Sequence, residues 1–520
     1  MLSFVQRHRE QVTGVLSGFD RLRFRGTLRV LAHVGGMMDF LWHQRVPLKR
    51  FKEYVCETTK RLREATEAFA ERSGQRVRYV ASSTLSKEDL VRDMAEREGR
   101  EEGLLAVLSC VEPCRSYELH RNRETKHLDL RNSPLKCLHY YFYFQHPQLG
   151  FMHARLQTWF PFTMHICLNG REWLARQLDR SGVDYLRQDN CFVELSDVKR
   201  AQRLFDRQLK TDWPGLLNRI ARQVFPVLPE ILGNYPVPYY WSADQSEWAT
   251  DVMFDSRSAL AALYPRLVLH GMTHLGTRDV LRFLGRKAGV SGRFGRLTAE
   301  VHSDLRQRVE GTRLKHFVNQ NSIKMYDKQG RVLRIETTIN SPREMKTYRP
   351  KEGDEGGPKS WRYLRKGVAD MARRAEISQA ANERYLESLA TVDETTPLEQ
   401  LAKGVCRPVR WKGQRVRALN PLAKEDAALL AAVNRGEFLL HGFRNRDLVP
   451  LLHSSGRVSA EEQRRRSSRV TRQLRMLRAH GLIKKIPHTH RYQLTKQGRT
   501  IVAALLAAQK ANTTQLLKAA

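Results

Sequence analysis

Residues Leu138–Asn169 read LHYYFYFQHPQLGFMHARLQTWFPFTMHICLN, three short runs rich in aromatic and apolar side chains. The runs are Leu138–His146, Phe151–Gln157 and Phe162–Leu168, and the turns between them carry Pro147, Gly150 and Pro161. Runs of this length bounded by Pro and Gly predict strands. Side chains alternate between the two faces of a strand. His139, Tyr141, Tyr143 and Gln145 therefore share a side of the first run, His153, Arg155 and Gln157 a side of the second, and Thr163, His165 and Cys167 a side of the third. If Gln157 pairs with Thr163, Arg155 faces His165 and His153 faces Cys167. The expectation is an antiparallel meander, apolar on one face and lined with His, Arg and Tyr on the other. Such a face suits a nucleic-acid platform or a metal and proton-transfer site; a sheet face half covered by the next helix, its histidines paired with neighbours, accounts for it equally well.

Outward from the meander, the pattern mixes helices and strands. Leu48–Ser73 and Arg171–Arg180 read as helices, Val77–Ala81 and Leu104–Val111 as strands, and Ser86 as a helix cap. Arg21, Arg23 and Arg25 alternate with Leu22 and Phe24, which predicts a strand with a basic edge, fit for phosphates or simply a charged, protected sheet edge. Pro350–Pro358, rich in Gly, Pro and charge, reads as a linker. The expected fold class is α+β and multidomain: a mixed or antiparallel-sheet body with helices, plus a carboxy-terminal winged helix-turn-helix. The expected divisions are 1–235, 236–349 around a central hairpin, a linker and helical connector at 350–423, the winged helix at 424–510 and a tail at 511–520.

The central hairpin, Asn321–Asn340, reads NSIKMYDKQGRVLRIETTIN. Two period-2 strands flank Lys328-Gln329-Gly330-Arg331. A three-residue loop places Tyr326 opposite Arg334, so that Lys324, Tyr326, Arg334 and Glu336 share one face over an apolar underside. These residue types suit phosphoryl transfer. A tyrosine hydroxyl is a weak nucleophile, and Lys324 or Arg334 can activate it and steady phosphate charge. Glu336 can hold a divalent metal, Mg²⁺ or Mn²⁺, with His153 and His165, or His127 and Asp129, completing the ligand set. A structural hairpin touching backbone phosphates is the alternative.

The Tyr-Asp-Lys, turn, Leu-Arg-Ile-Glu pattern resembles the tyrosine-dependent replication initiators of rolling-circle plasmids and filamentous phages. The resemblance implies a strand-nicking enzyme that stays joined to a 5′ phosphate through Tyr326, with Glu336 as a metal ligand. It covers about twenty residues, and no His-hydrophobic-His triplet occurs on an amino-terminal strand as the family pattern would have it.

At the carboxy terminus, Ser459–Leu494 places Val470, Leu474 and Leu477 on one helical face, surrounded by arginines. Gly481 stops that helix, and Ile483–Ile486 and Arg491–Leu494 predict a basic hairpin. Helices at Glu425–Asn434, Asn445–His453 and Lys496–Gln509 complete the order, with Asn445 and Ser467 or Ser468 as expected caps. The order is similar to the winged helices of MarR-type regulators. By that resemblance Arg469, Arg472 and Arg475 face DNA, while Lys484, Lys485, His488, His490 and Arg491 touch phosphates. Arginines at 466, 469, 472, 475 and 478 wind around the helix, so they cannot all enter one groove; Arg466 belongs to the same basic surface.

Ninety Lys and Arg against 55 Asp and Glu give a net charge of +35, a footprint for polyanions. No long apolar run points to a membrane. The first residues lack a secretory pattern, and seven scattered cysteines suit reduced thiols in a cytoplasm. These features predict a nucleic-acid partner, DNA rather than RNA in the leading reading, and a DNA-processing protein of a mobile or self-replicating element. The alternative is a non-enzymatic winged-helix regulator or an RNA-binding protein. Winged helices often act as homodimers, but no dimer seam is legible.

Overall fold

The computed structural model describes residues 3–121, 123–124, 127–235, 237–285, 290–291, 296–297, 301–309, 311–351, 353–354, 356–390, 398–435, 438, 442–453, 459–487 and 489–510. The fold is α+β, and its body is one 11-stranded sheet. The chain enters it along β1 (Val12–Leu28) and adds β2 (Val77–Tyr79), β3 (Gly103–Arg121), β4 (Leu128–His146), β5 (Gly150–Gln157) and β6 (Met164–Asn169). A small hairpin, β7 (Tyr185–Gln188) and β8 (Cys191–Leu195), lies outside it. The sheet resumes with β9 (Tyr239–Phe254). After the two-residue strands β10 (Val290–Ser291) and β11 (Arg296–Leu297) come β12 (Val301–Arg308), β13 (Gly311–Val318), β14 (Asn321–Lys328) and β15 (Val332–Ile339). Strand order is β12-β13-β14-β15-β9-β1-β6-β5-β4-β3-β2.

This order is one plan used twice. A long strand opens each half, helices follow, and a four-strand antiparallel meander returns so that its last strand pairs with the opener: β6 on β1, β15 on β9. The openers pair antiparallel with each other and join the halves. Residues 1–235 and 236–349 therefore share one sheet. The expected meander has the derived register: His153 opposes Cys167, Arg155 opposes His165, and the Gln157 amide donates to the Thr163 carbonyl. In the central hairpin Tyr326 opposes Arg334 and Lys324 opposes Glu336 across a three-residue loop, with Gln329 and Gly330 both at positive φ.

Long helices of the body cover one face. Leu22, Phe24, Phe142, Ala154 and Ile166 pack under helices Phe51–Arg72 and Trp213–Val224, and Val252, Ile323, Leu333 and Ile335 under Arg257–Thr273 and Met371–Leu389. The opposite face is polar and is covered only in part. Helix Lys87–Arg97 packs over one end. Gly170–Ser181, Val198–Phe205 and the β7–β8 hairpin pack over another. Phe205 lies so close to β1 that a Cβ at Gly18 would come within 2.2 Å of its ring, so only glycine fits there.

Several expectations change. β1 is a central strand, so Arg21, Arg23 and Arg25 do not form a charged sheet edge; they are exposed because the face they occupy is open. Residues 350–358 connect β16 (Lys346–Arg349) to β17 (Ser360–Tyr363), which pair antiparallel, and so close a hairpin rather than link domains. Helix Met371–Leu389 is core, not connector: Ala381, Tyr385 and Leu386 are fully buried against the second half. The carboxy-terminal core begins before residue 424, because Val405, Val416 and Leu419 belong to it. It thus takes in the basic hairpin β18 (Val409–Trp411) and β19 (Gln414–Val416). The arginine helix runs Ala460–Ala479 with Ser459 as its cap, a full two turns earlier than Ser467, whose hydroxyl instead binds the Asn445 side chain. Arg444, not Asn445, is at the N-cap position of helix Asn445–Leu452, and its amide donates to the Asp447 carboxylate. The tail at 511–520 lies outside the described residues.

Candidate functional site

Two clusters meet on the polar face. In the first, which spans the two halves, Asp20 of β1, Glu247 of β9 and Glu336 of β15 bring carboxylate oxygens within 4.8 Å of one another. Lys324 is buried beside them and donates to Glu336 and, at 3.2 Å, to Glu247. Burial and Glu247 push the Glu336 carboxyl up to about 7, against the pull of Lys324. Burial alone would lower the Lys324 ammonium, but Glu336 and Glu247 outweigh it and hold the charge on. Tyr326 lies next along β14, its ring within 6 Å of the Lys324 and Lys328 ammonium groups. Its hydroxyl is nonetheless raised, first by burial and then by Glu336, with Lys324 only partly opposing. Lys324 pulls in the expected direction, but burial and Glu336 outweigh it.

Arg334 is on the expected face but is committed elsewhere. Its guanidinium is 1% exposed and donates to Asp251 through Nε at 2.6 Å and Nη2 at 2.9 Å, to Asp20 at 3.3 Å and to the Asn190 carbonyl at 2.7 Å. Arg171, also buried, reaches Asp251 at 2.8 Å. Two arginines and two aspartates neutralise one another, which is what makes so much buried charge tolerable. Arg334 thus orients Asp20 rather than meeting a phosphate. Arg334 and Arg171 also hold the Asp20 carboxyl below its ordinary value despite burial.

In the first half the polar face is cationic. Arg21, Arg23, His153, Arg155, Tyr141 and Gln245 line an open cleft of about 380 Å³. His153 and His165 are on this face, but neither joins Glu336; the expected Glu336–His153–His165 metal set is not assembled, and among the described residues the acids Asp20 and Glu247 stand in its place. His127 and Asp129 are not in that cluster either. Burial and the surrounding arginines lower His153 to about 4, so it is neutral at pH 7. His165 pairs with Asp244 at 3.7 Å. Arg155 donates to Glu112 at 2.7 Å, and Glu112 also accepts from Tyr141 and pairs with Lys87. Arg155 is therefore half committed, whereas the exposed Arg21 and Arg23 form no ion pair within 4.0 Å among the described residues.

In the carboxy-terminal module, helices Lys424–Val433, Asn445–Leu452 and Ala460–Ala479 precede β20 (Ile483–Lys485) and β21 (Tyr492–Leu494), which pair, and Phe443 bridges to Tyr492. Arg469, Arg472 and Arg475 are exposed and, at 100° per residue, fall within one arc of about 120°. Arg469 pairs with Glu425 at 2.5 Å, and Arg475 donates to Gln414. Arg466 binds Glu462 and Arg478 lies over the Trp411 ring, and both are half-buried. Lys484, Lys485 and His490 are exposed, and Arg491 donates to the Gly442 carbonyl. His488 lies outside the described residues.

Among the described residues no helix is long and apolar enough to cross a membrane. No family model, no curated protein and no solved structure matches the chain.

Proposed function

We propose that the chain binds nucleic acid and processes DNA, nicking and rejoining one strand through Tyr326 in the service of a mobile or self-replicating element. One observation carries the reading: a central sheet strand, where charge is ordinarily covered, leaves Arg21, Arg23 and Arg25 open on the same face as Tyr326, Lys324 and the three acids. The net charge of +35 supports the choice of partner. The tyrosine oxygen forms a bond to phosphorus as the P–O3′ bond breaks, and the phenolic proton ends on the departing 3′ oxygen. In the metal-free site Glu336, held up to about 7, can carry a proton at neutral pH; a cation held by the same carboxylate would keep it ionised and take it out of that role.

The divalent metal that the resemblance implies fits the donor chemistry of Asp20, Glu247 and Glu336, which offer hard oxygen ligands in a space already compensated by one ammonium. When bound, Mg²⁺ or Mn²⁺ supplies Lewis-acid polarisation of the scissile phosphate. The Lys324 ammonium pairs with the same carboxylates and therefore competes with the cation for them. The carboxy-terminal module reads as a winged helix, with Arg469, Arg472 and Arg475 toward the major groove and Lys484 and Lys485 along the backbone. A non-enzymatic binding protein is the second reading, favoured by the raised Tyr326 hydroxyl.

The test is incubation with single-stranded and supercoiled DNA plus Mg²⁺ or Mn²⁺. A covalent protein–DNA adduct that survives denaturation and disappears in Tyr326→Phe is the expected result. Absence of any adduct or nicked product, or full activity in Tyr326→Phe, overturns the enzymatic reading and leaves the binding protein.

A further inference from the structure

The β16–β17 hairpin carries a feature that the nicking chemistry does not use. Lys346 opposes Tyr363 and Tyr348 opposes Trp361, so these four side chains stand on one face of the ribbon. That face is open: Tyr348 is 56%, Trp361 37% and Tyr363 59% exposed. The Tyr348 and Trp361 ring centroids are 5.3 Å apart across the two strands, and beside them the Lys346 ammonium is 4.9 Å from the Tyr363 ring centre. The reverse face is anchored. Thr347 and Arg349 are buried, and the fully buried Asp370 carboxylate gathers Arg349, Arg365 and Arg373 beneath the ribbon. The ribbon also joins the polar face: the Lys366 carbonyl accepts from the Ala243 amide, and the Lys366 ammonium pairs with Asp244, which in turn faces Arg25 and His165.

We infer that this hairpin is a stacking platform for single-stranded nucleic acid, which it passes toward Arg25, Arg23 and Arg21. Exposed aromatics are the ordinary means of holding unpaired bases, because every base has a π face, and adjacent cations follow the backbone. The occupant is committed by charge: Lys346 stands among the rings and Lys359 and Lys366 flank the second strand, while the acids of this stretch, Glu352, Asp354 and Glu355, fall between the strands in sequence. A duplex, its bases stacked internally, has no use for exposed rings. The inference rests on the nucleic-acid reading but not on Tyr326.

The experiment uses the full chain and a fluorescein-labelled oligothymidylate of about 20 nucleotides, followed by anisotropy, with a duplex of equal length alongside. Tyr348→Ala, Trp361→Ala and Tyr363→Ala each weaken single-strand binding about tenfold, the scale of one base–aromatic stack. Trp361→Phe stays near wild type because it keeps a π face. Duplex affinity and thermal midpoint stay unchanged in all four variants, since the rings are at the surface. Binding is read without divalent cation, so a failure of the nicking reading leaves this result standing. Undetectable single-strand binding by the wild-type chain, alanine variants that bind as wild type, or equal losses on duplex overturn the platform.

Discussion

Asp251→Asn removes one charge from the buried knot while keeping side-chain shape, so cavity effects do not intrude. Asp251 is 1% exposed and accepts from Arg334 at 2.6 and 2.9 Å and from Arg171 at 2.8 Å. Without it, two guanidiniums face one remaining carboxylate, Asp20, at 3.3 and 3.8 Å. At an effective dielectric of about 20, unit charges about 4 Å apart interact by about 4 kcal/mol. Breaking one side of a buried pair costs about 3–5 kcal/mol by experience. The expected loss is therefore about 4 kcal/mol, a large share of the roughly 5–15 kcal/mol that holds a domain together. Denaturant unfolding of the full chain, compared at equal slope, reads it out. The compensating test is Asp251→Asn with Arg334→Met, which leaves Arg171 and Asp20 as a neutral pair; the double variant should lose less than the sum of the singles by about 2 kcal/mol or more. A single variant within about 1 kcal/mol of wild type, or strict additivity, refutes the knot as a mutually dependent unit.

Lys324→Met should increase the thermal stabilisation by Mn²⁺ and Glu336→Gln should abolish it; at about a hundred times Kd the wild-type gain is about 2.7 kcal/mol. Because Glu336 is raised to about 7 from an ordinary 4.5, its contribution to stability is full below about 4.5 and is lost as pH rises through about 7. His139, His153 and His316, lowered to about 4, add stability over the same window, so the Glu336 term is read as a difference: the stability of wild type relative to Glu336→Gln should fall between about pH 4.5 and pH 7 and level off above. Replacing Arg469, Arg472 and Arg475 together by Ala should weaken duplex binding and reduce the salt slope by about 0.9 for each phosphate no longer neutralised, whereas Arg466→Ala should leave both nearly unchanged.

Where local rules decide, the chain is legible. Period-2 alternation and loop length give the register of the 138–169 meander and of the Tyr326 hairpin, since a slip of one residue would turn every apolar side chain to the open face. The winding of the arginine helix likewise implies that its arginines have unequal surroundings, and Arg466 and Arg478 are half-buried where Arg469, Arg472 and Arg475 are exposed. β9 escapes because its Ser, Asp, Gln and Glu read as turn formers; they are tolerated in a central strand only because Arg334, Arg171 and Lys324 arrive from distant segments. For the same reason Asp20 and Glu247 carry no spacing signal. Lone acids become a cluster only when β1, β9 and β15 are laid side by side. Glycine and proline mark 350–358 as a loop, but composition does not say whether a loop joins domains or closes a hairpin. The repeated strand plan is also silent in the sequence, because pairing order is non-local.

The joining of the two clusters depends on one irregularity. In a regular strand Asp20 and Arg21 would point to opposite faces, and one of them would be driven into the apolar layer beside Phe19 and Leu22. The register between β1 and β9 shifts between Phe19 and Leu22, so that Asp20 and Arg21 together oppose Glu247. A bulge of this kind places two residues against one and re-aims a side chain. Asp20 then turns toward Arg334 and the acids, while Arg21 lines the cationic cleft with Arg23. Glu247 and Asp20 are the two strongest pulls on the Arg21 guanidinium, keeping it charged despite partial burial. The bulge thus stands at the boundary where the cationic cleft meets the carboxylate cluster, and under the proposed nicking reading that boundary is where the phosphate would lie.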